Sequence, residues 1–245
     1  MQSQNAFENF SAGESNDDVC HERREFVVAC SSSLLASIAV SPVLASAASA
    51  SSSTKQPSTV KRYQNVILSD GNGLAFRAST LKPRTNYLFH YPFASTPCLL
   101  IDLDRDVGGV GKKRSIVAFS AICSHKLAYP AKEVSFIRFQ AQASAKSEAD
   151  RIHCCADHSV YDPAAQAKVL SGPAPVALAA IALEYDSKAD ALRAVGTAGV
   201  EQFDAFFAKY DFKLSLEYGT RVREIVNKTA RLQELAQFCR NVAQC

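Results

Sequence analysis

The chain has 245 residues, 47% hydrophobic and 21% charged, which is ordinary globular composition and enough material for one medium domain with an appendage. A net charge of +3 over that length, with no dense basic run after residue 62, argues against nucleic acid as a partner.

The first segment reads as targeting. A polar, acidic start (Met1 to Glu22) gives way at Arg23-Arg24 to EFVVACSSSLLASIAVSPVLASAASA, an apolar stretch diluted by serines, interrupted by Pro42 and followed by small residues. The paired arginines followed by Glu25-Phe26-Val27 resemble a twin-arginine export signal over residues 1–50. Cleavage after Ala45-Ser46-Ala47 would release a mature protein, whereas an uncleaved segment could anchor it, since about 20 apolar residues span a bilayer. The serines and the proline make the stretch a poor permanent span and favour cleavage. Either way the expected location is the periplasm or the periplasmic side of the inner membrane. Residues 51–62, with SSSTKQPST, read as a flexible linker.

From residue 63 to 198 short β-type runs follow one another: NVILSD (65–70), NYLFHYPF (86–93), CLLIDL (98–103), SIVAFSAI (115–122), VSFIRFQA (134–141), ALAAIALEY (177–185) and ALRAVG (191–196). Each is rich in β-branched or aromatic residues and bounded by Gly, Pro, Asp or Ser, so the fold class is mainly β, an antiparallel sandwich or barrel. GGVG at 108–111 has no helix after it and reads as a turn, not a phosphate loop. Residues 199–245 change character. VEQFDAFFAKY and RVREIVNKTARLQELAQFCRNVAQ carry apolar residues near helical spacing, which predicts a C-terminal extension of two helices joined near Tyr218-Gly219. That extension packs either on its own β domain or on a partner subunit, and the pattern does not separate the two.

Eight cysteines in an exported chain raise the thought of disulfides, yet their placement does not favour a disulfide framework. Cys98 and Cys239 read as small buried hydrophobes. The chemistry concentrates in two short loops. Cys123-Ser124-His125 ends one strand, and Cys155-Ala156-Asp157-His158 follows another, within HCCADHSVYDP. Two thiolates and two imidazoles on two loops suit a tetrahedral zinc or an iron–sulfur cluster held by two cysteines on one iron and two histidines on the other.

The surrounding residues carry a resemblance. DVGGVGKKRSIVAFSAICSH and YDPAAQAKVLSGPAPVALAAIALEYD resemble Rieske [2Fe-2S] proteins, the arsenite oxidase small subunit in particular, over roughly residues 65–200. The resemblance implies a Rieske-type β domain with the cluster at its tip, Cys123 and Cys155 on the inner iron and His125 and His158 on the outer one. It also implies a role as the electron-transfer subunit of an exported oxidoreductase and not a catalytic chain of its own. Single electrons would pass between a larger redox subunit, plausibly one containing molybdopterin, and a cytochrome c or the quinone pool. The alternative is a cluster-free structural or assembly subunit of such a complex, built on a degenerate domain of this type.

Two departures accompany the match. Family members tie the two loops together with a disulfide, and here its positions fall on Ala128 and Asp157, so no loop-bridging disulfide is expected; an ionised Asp157 beside the cluster would lower its potential. The second is one of register. If SVYD is aligned on the family's Ser and Asp without a gap, the second-loop ligand positions become Cys154 and Asp157, whereas a loop one residue shorter restores Cys155 and His158. In the second register His153 is a surface imidazole and Cys154 a buried thiol, on alternating sides of the approaching strand.

Overall fold

In a computed structural model, residues 59–145 and 148–245 are described. The expected export signal (1–50) and most of the expected linker lie outside the described residues; Lys61 and Arg62, assigned to that linker, begin the first strand. None of the described helices is long and apolar enough to cross a membrane.

The main sheet has eight strands: β1 (Lys61–Ser69), β2 (Tyr87–His90), β3 (Pro97–Asp102), β4 (Ile116–Ser120), β10 (Ala180–Asp186), β11 (Ala191–Ala198), β12 (Lys228–Arg231) and β13 (Gln233–Glu234). They run in the order β12-β1-β11-β10-β4-β3-β2-β13. β12 and β13 occupy opposite ends of that order, yet only Leu232 separates them along the chain. The two edges must therefore lie side by side, and the sheet is a nearly closed barrel, mostly antiparallel with β12 parallel to β1. Closure removes the exposed edges that an open sheet would present. A second, four-stranded antiparallel sheet is formed by β6 (Ile137–Gln140), β7 (Arg151–Cys154), β8 (Ser159–Asp162) and β9 (Lys168–Ser171), and β5 (Val134–Ser135) pairs in parallel with β14 (Asn241–Val242).

Burial explains why β2 and β3 are apolar at almost every position. Tyr87, Phe89, Cys98 and Leu100 belong to the barrel interior with Val66, Leu68 and Leu192. The alternate residues Leu88, Leu99 and Ile101 face the second sheet, where they meet Ile137, Phe139, Ile152 and Tyr161. A strand buried on both faces loses the polar alternation of a half-exposed one. The second core runs directly into the two loops of interest, because Cys123 and Cys154 are members of it.

The first C-terminal helix forms as expected: α1 (Phe203–Tyr218) ends at Gly219, whose φ of +60° stops it. Its residues Phe203, Phe206, Phe207 and Leu214, at spacings of three, one and seven, pack on Tyr129, Ala131 and Ile122. The second expected helix shrinks to the single turn α2 (Leu235–Phe238). Ala230 and Leu232 are buried and Arg231 between them is exposed, a period-two pattern that the open edge of β1 selects over helix. Tertiary pairing overrides a marginal helical period here. The extension packs on its own β domain, since β12 to β14 all pair with strands of that domain.

Candidate metal centre

The two loops meet at one end of the second core. The first leaves β4 and turns tightly: Leu127 N–H donates to Cys123 O at 2.9 Å and Cys123 N–H to Ala128 O at 2.9 Å. The second is the tip of the β7–β8 hairpin, where Cys154 pairs with Ser159 and four residues turn between them. The Cys154 carbonyl accepts from His158 N–H at 2.7 Å, and His158 takes a left-handed φ of +60°. That turn fixes which side chains look inward.

Cys123, Cys154 and Asp157 converge, their ligand atoms all within 4.8 Å of one another. Asp157 Oδ2 lies 3.2 Å from Cys123 Sγ and 3.1 Å from His125 Nδ1. The Asp157 side chain is 2% exposed and that of His125 37%, so the imidazole forms the solvent side of the cluster. Around these donors Tyr161 Oη stands 3.5 Å from Cys123 Sγ, and Ser159 N–H donates to Asp157 Oδ1 at 3.0 Å. Both loops are strapped by the SGPAP segment. Ser124 Oγ donates to Val176 O at 2.7 Å and Ala174 N–H to Ser159 Oγ at 3.1 Å, one bond to each loop.

Electrostatics in the cluster follow from this crowding. The Cys154 thiol beside it draws the Cys123 pKa below the ordinary thiol value against the opposing effect of burial, helped by the Tyr161 hydroxyl and by the N–H groups of His125 and Lys126. Cys154, whose proton is held toward Cys123 and which is buried, is pushed up. Burial raises the Asp157 carboxyl, but hydrogen bonds from Ser159 N–H and the two thiols outweigh it and leave the pKa below its usual value. The carboxylate is anionic at neutral pH.

These positions correct the expected Rieske centre. Cys155, expected on the inner iron, is bonded to Cys245 instead, and a sulfur in a disulfide is no thiolate ligand. His158 is exposed at the turn and outside the converging group. Of the four expected ligands only Cys123 belongs to the converging group, with Cys154 and Asp157 of the gapless register, while His125 stands outside it against the carboxylate. That donor set does not fit a [2Fe-2S] cluster with two cysteines and two histidines. A carboxylate replaces one neutral imidazole, restoring the negative charge that histidine ligation removes. Its oxygen also lies in contact with the Cys123 sulfur, whereas two irons would hold those ligands apart by the width of the core.

The disulfide corrects a second expectation, since cysteine placement argued against one. It corrects the resemblance only in kind, for it joins the second loop to the C-terminus and not to the first loop. His153 is 1% exposed and not on the surface, with Nε2 unpartnered and Nδ1 3.7 Å from Cys245 Sγ. It turned inward because the C-terminal tail covers that side of β7. Cys98 and Cys239 are both buried.

No protein-family model matches the chain. Among solved structures, the soluble domain of the Rieske protein II from Sulfolobus acidocaldarius is similar at 25% identity, covering 55% of this chain and 78% of that one with a TM-score of 0.41. At that score the superposition is too loose to transfer the place of any residue.

Proposed function

We propose that this chain is a structural or assembly subunit of an exported redox complex, built on a degenerate domain of Rieske-like design that no longer relays electrons through a two-iron cluster. The observation that carries the reading is the contact of Asp157 Oδ2 with Cys123 Sγ at 3.2 Å, together with the loss of Cys155 to the disulfide with Cys245. The motifs flanking both loops, CSH, the Tyr161-Asp162 pair and SGPAP, support the descent of the scaffold. Its partner in this reading is a larger subunit that carries the redox cofactors itself, and its location is the periplasm. The disulfide supports that location, because such bonds persist in oxidising compartments.

An exposed pair on α1, Phe212 at 77% and Leu216 at 72%, is one helical turn apart and fits attachment of a partner. The test is isolation of the tagged full chain from its native host, with iron, acid-labile sulfide and co-purifying chains quantified. The reading expects a stoichiometric cofactor-bearing subunit and no two-iron signal near g of roughly 1.9 attributable to this chain. Two irons and two sulfides bound to this chain would refute it.

A further inference from the structure

We infer that Cys123, Cys154, Asp157 and His125 bind one zinc ion in a closed, four-ligand structural site, an inference that rests on the reading of a cluster-free subunit given above.

Three of the four donors already converge as in a single-metal shell. Zinc–sulfur bonds of about 2.3 Å and zinc–nitrogen or zinc–oxygen bonds of about 2.0–2.1 Å place tetrahedral neighbours roughly 3.3–3.8 Å apart. Asp157 Oδ2 already stands 3.2 Å from Cys123 Sγ and 3.1 Å from His125 Nδ1, and Cys154 Sγ lies within 4.8 Å of the other sulfur and of the carboxylate. His125 stands beside the carboxylate but outside the converging group of three, and rotation of its side chain, which is 37% exposed, would bring the imidazole onto an ion held by the other donors.

The chemistry of the donors selects the ion. Two thiolates exclude magnesium and calcium, which take oxygen ligands, while the mixture of sulfur, nitrogen and carboxylate oxygen suits zinc. Four protein ligands leave no open position for a substrate, the mark of a structural and not a catalytic site. The shell that orients the ligands is also in place. Ser159 N–H holds the far oxygen of Asp157, and Tyr161 Oη reaches Cys123 Sγ. Binding forms two zinc–sulfur bonds as two thiol protons leave to solvent, and the ionised Asp157 contributes its oxygen without releasing a proton. The resulting site carries one net negative charge.

A second observation concerns redox state. Cys123 and Cys154 are both free thiols, while the residue next to Cys154 is already oxidised to a disulfide. In a compartment that keeps the Cys155–Cys245 bond, the two buried thiols lie close enough to form a disulfide of their own whenever the loops open. A bound zinc ion holds them as thiolates and withholds them from disulfide formation.

The experiment uses the full chain, produced with export and purified without chelator. Metal content is measured by mass spectrometry, zinc affinity by competition with a chromogenic chelator, and thiols by counting after metal removal. One zinc per chain and a dissociation constant in the nanomolar range or below are expected. Cobalt(II) in place of zinc should give tetrahedral d–d absorption and a thiolate-to-cobalt charge-transfer band, the latter reduced in Cys154→Ser. Asp157→Asn and His125→Ala should each weaken zinc by at least about tenfold, with unchanged far-ultraviolet circular dichroism, and Tyr161→Phe by roughly the same factor through the second shell. His158→Asn, which tolerates the left-handed φ of +60° and removes only the exposed imidazole, should leave the affinity unchanged. Zinc affinity weaker than micromolar, or a Cys123–Cys154 disulfide in the exported protein, overturns the zinc site and leaves the cluster-free subunit standing. Iron with acid-labile sulfide on this chain overturns both.

Discussion

Replacing Cys245 by Ser removes the only covalent link among the described residues between the second loop and the C-terminus. The bond spans a sequence separation of 90 residues, and chain-entropy theory assigns a loop of that size about 4.6 kcal/mol of stabilisation through restriction of the unfolded state. Measured effects commonly fall below theory because the reduced, unfolded chain retains structure, and the folded tail keeps attachments that preserve the native state without the bond. β14 pairs with β5, Ala243 N–H donates to Ser135 O at 2.9 Å, and Leu235 and Cys239 are buried just upstream. The expected loss is therefore about 2–4 kcal/mol. Urea unfolding of the described region reads it: the midpoint for Cys245→Ser falls below that of the oxidised parent and coincides with that of the parent in reductant. Hydrogen exchange should show faster opening at Val134, Ser135 and residues 241–245, with β1 to β4 unchanged. Equal midpoints for mutant and oxidised parent, within about 0.5 kcal/mol, would refute the claim that this bond staples the tail to the loop.

Three further outcomes are expected. Burial lowers the His90 pKa from 6.5 to about 4, so the unfolded state binds the extra proton between those values and stability falls as pH drops through that window, by up to about 3 kcal/mol; His90→Gln, which keeps an acceptor for Tyr218 Oη, should flatten that slope in urea titrations between pH 4.5 and 7. Gly172 has φ of +87°, and a Cβ there would stand 2.5 Å from Ser159 Cα and 2.7 Å from His158 O, so Gly172→Ala should cost roughly 3 kcal/mol and displace the second loop, seen as changed amide shifts at Ser159 and Asp157. Phe139→Ala, at 1% exposure between the sheets, should cost about 3–5 kcal/mol, whereas Phe212→Ser, at 77%, should change thermal stability by under about 0.5 kcal/mol.

The barrel strands were legible because β1 to β4, β10 and β11 carry strong local signals: β-branched or aromatic runs closed by turn residues. β7 was legible as the strand approaching the second loop, whereas β8 and β9 were missed although VYD and VLS are ordinary strand sequences, because each has only four residues and lies among loop-forming Asp, Pro and Gly. β12 was misread since a period of three to four and a period of two share several positions in KTARLQEL, and only the vacant edge of β1 decides between them. The site was half legible. Cys123 follows from the strand end, but the second loop turns on a single-residue register that local pattern leaves open. The β7–β8 pairing of Cys154 with Ser159 decides it, a non-local fact about the hairpin. The Cys155–Cys245 bond joins residues whose proximity depends on how the tail returns to the domain, which no spacing rule supplies.

Three independent fasteners hold the two loops: the hairpin ladder through Cys154 and Ser159, the strap at residues 174–176 bonded to Ser124 and Ser159, and the disulfide from the second loop to the tail. Each is covalent or hydrogen-bonded, and none runs through Asp157, His125 or the Cys123 sulfur. The convergence of those donors is thus a consequence of the scaffold and not of the ion it would hold. This separates the site from a zinc finger, where folding and metal binding are one event. It also accounts for the chemistry in the second loop. With Cys155 drawn outward to the tail and His158 placed at the left-handed turn position, the chain directs Cys154 and Asp157 inward. The scaffold thereby presses a carboxylate against a thiol at 3.2 Å, a contact set by the turn and its fasteners before any ion arrives.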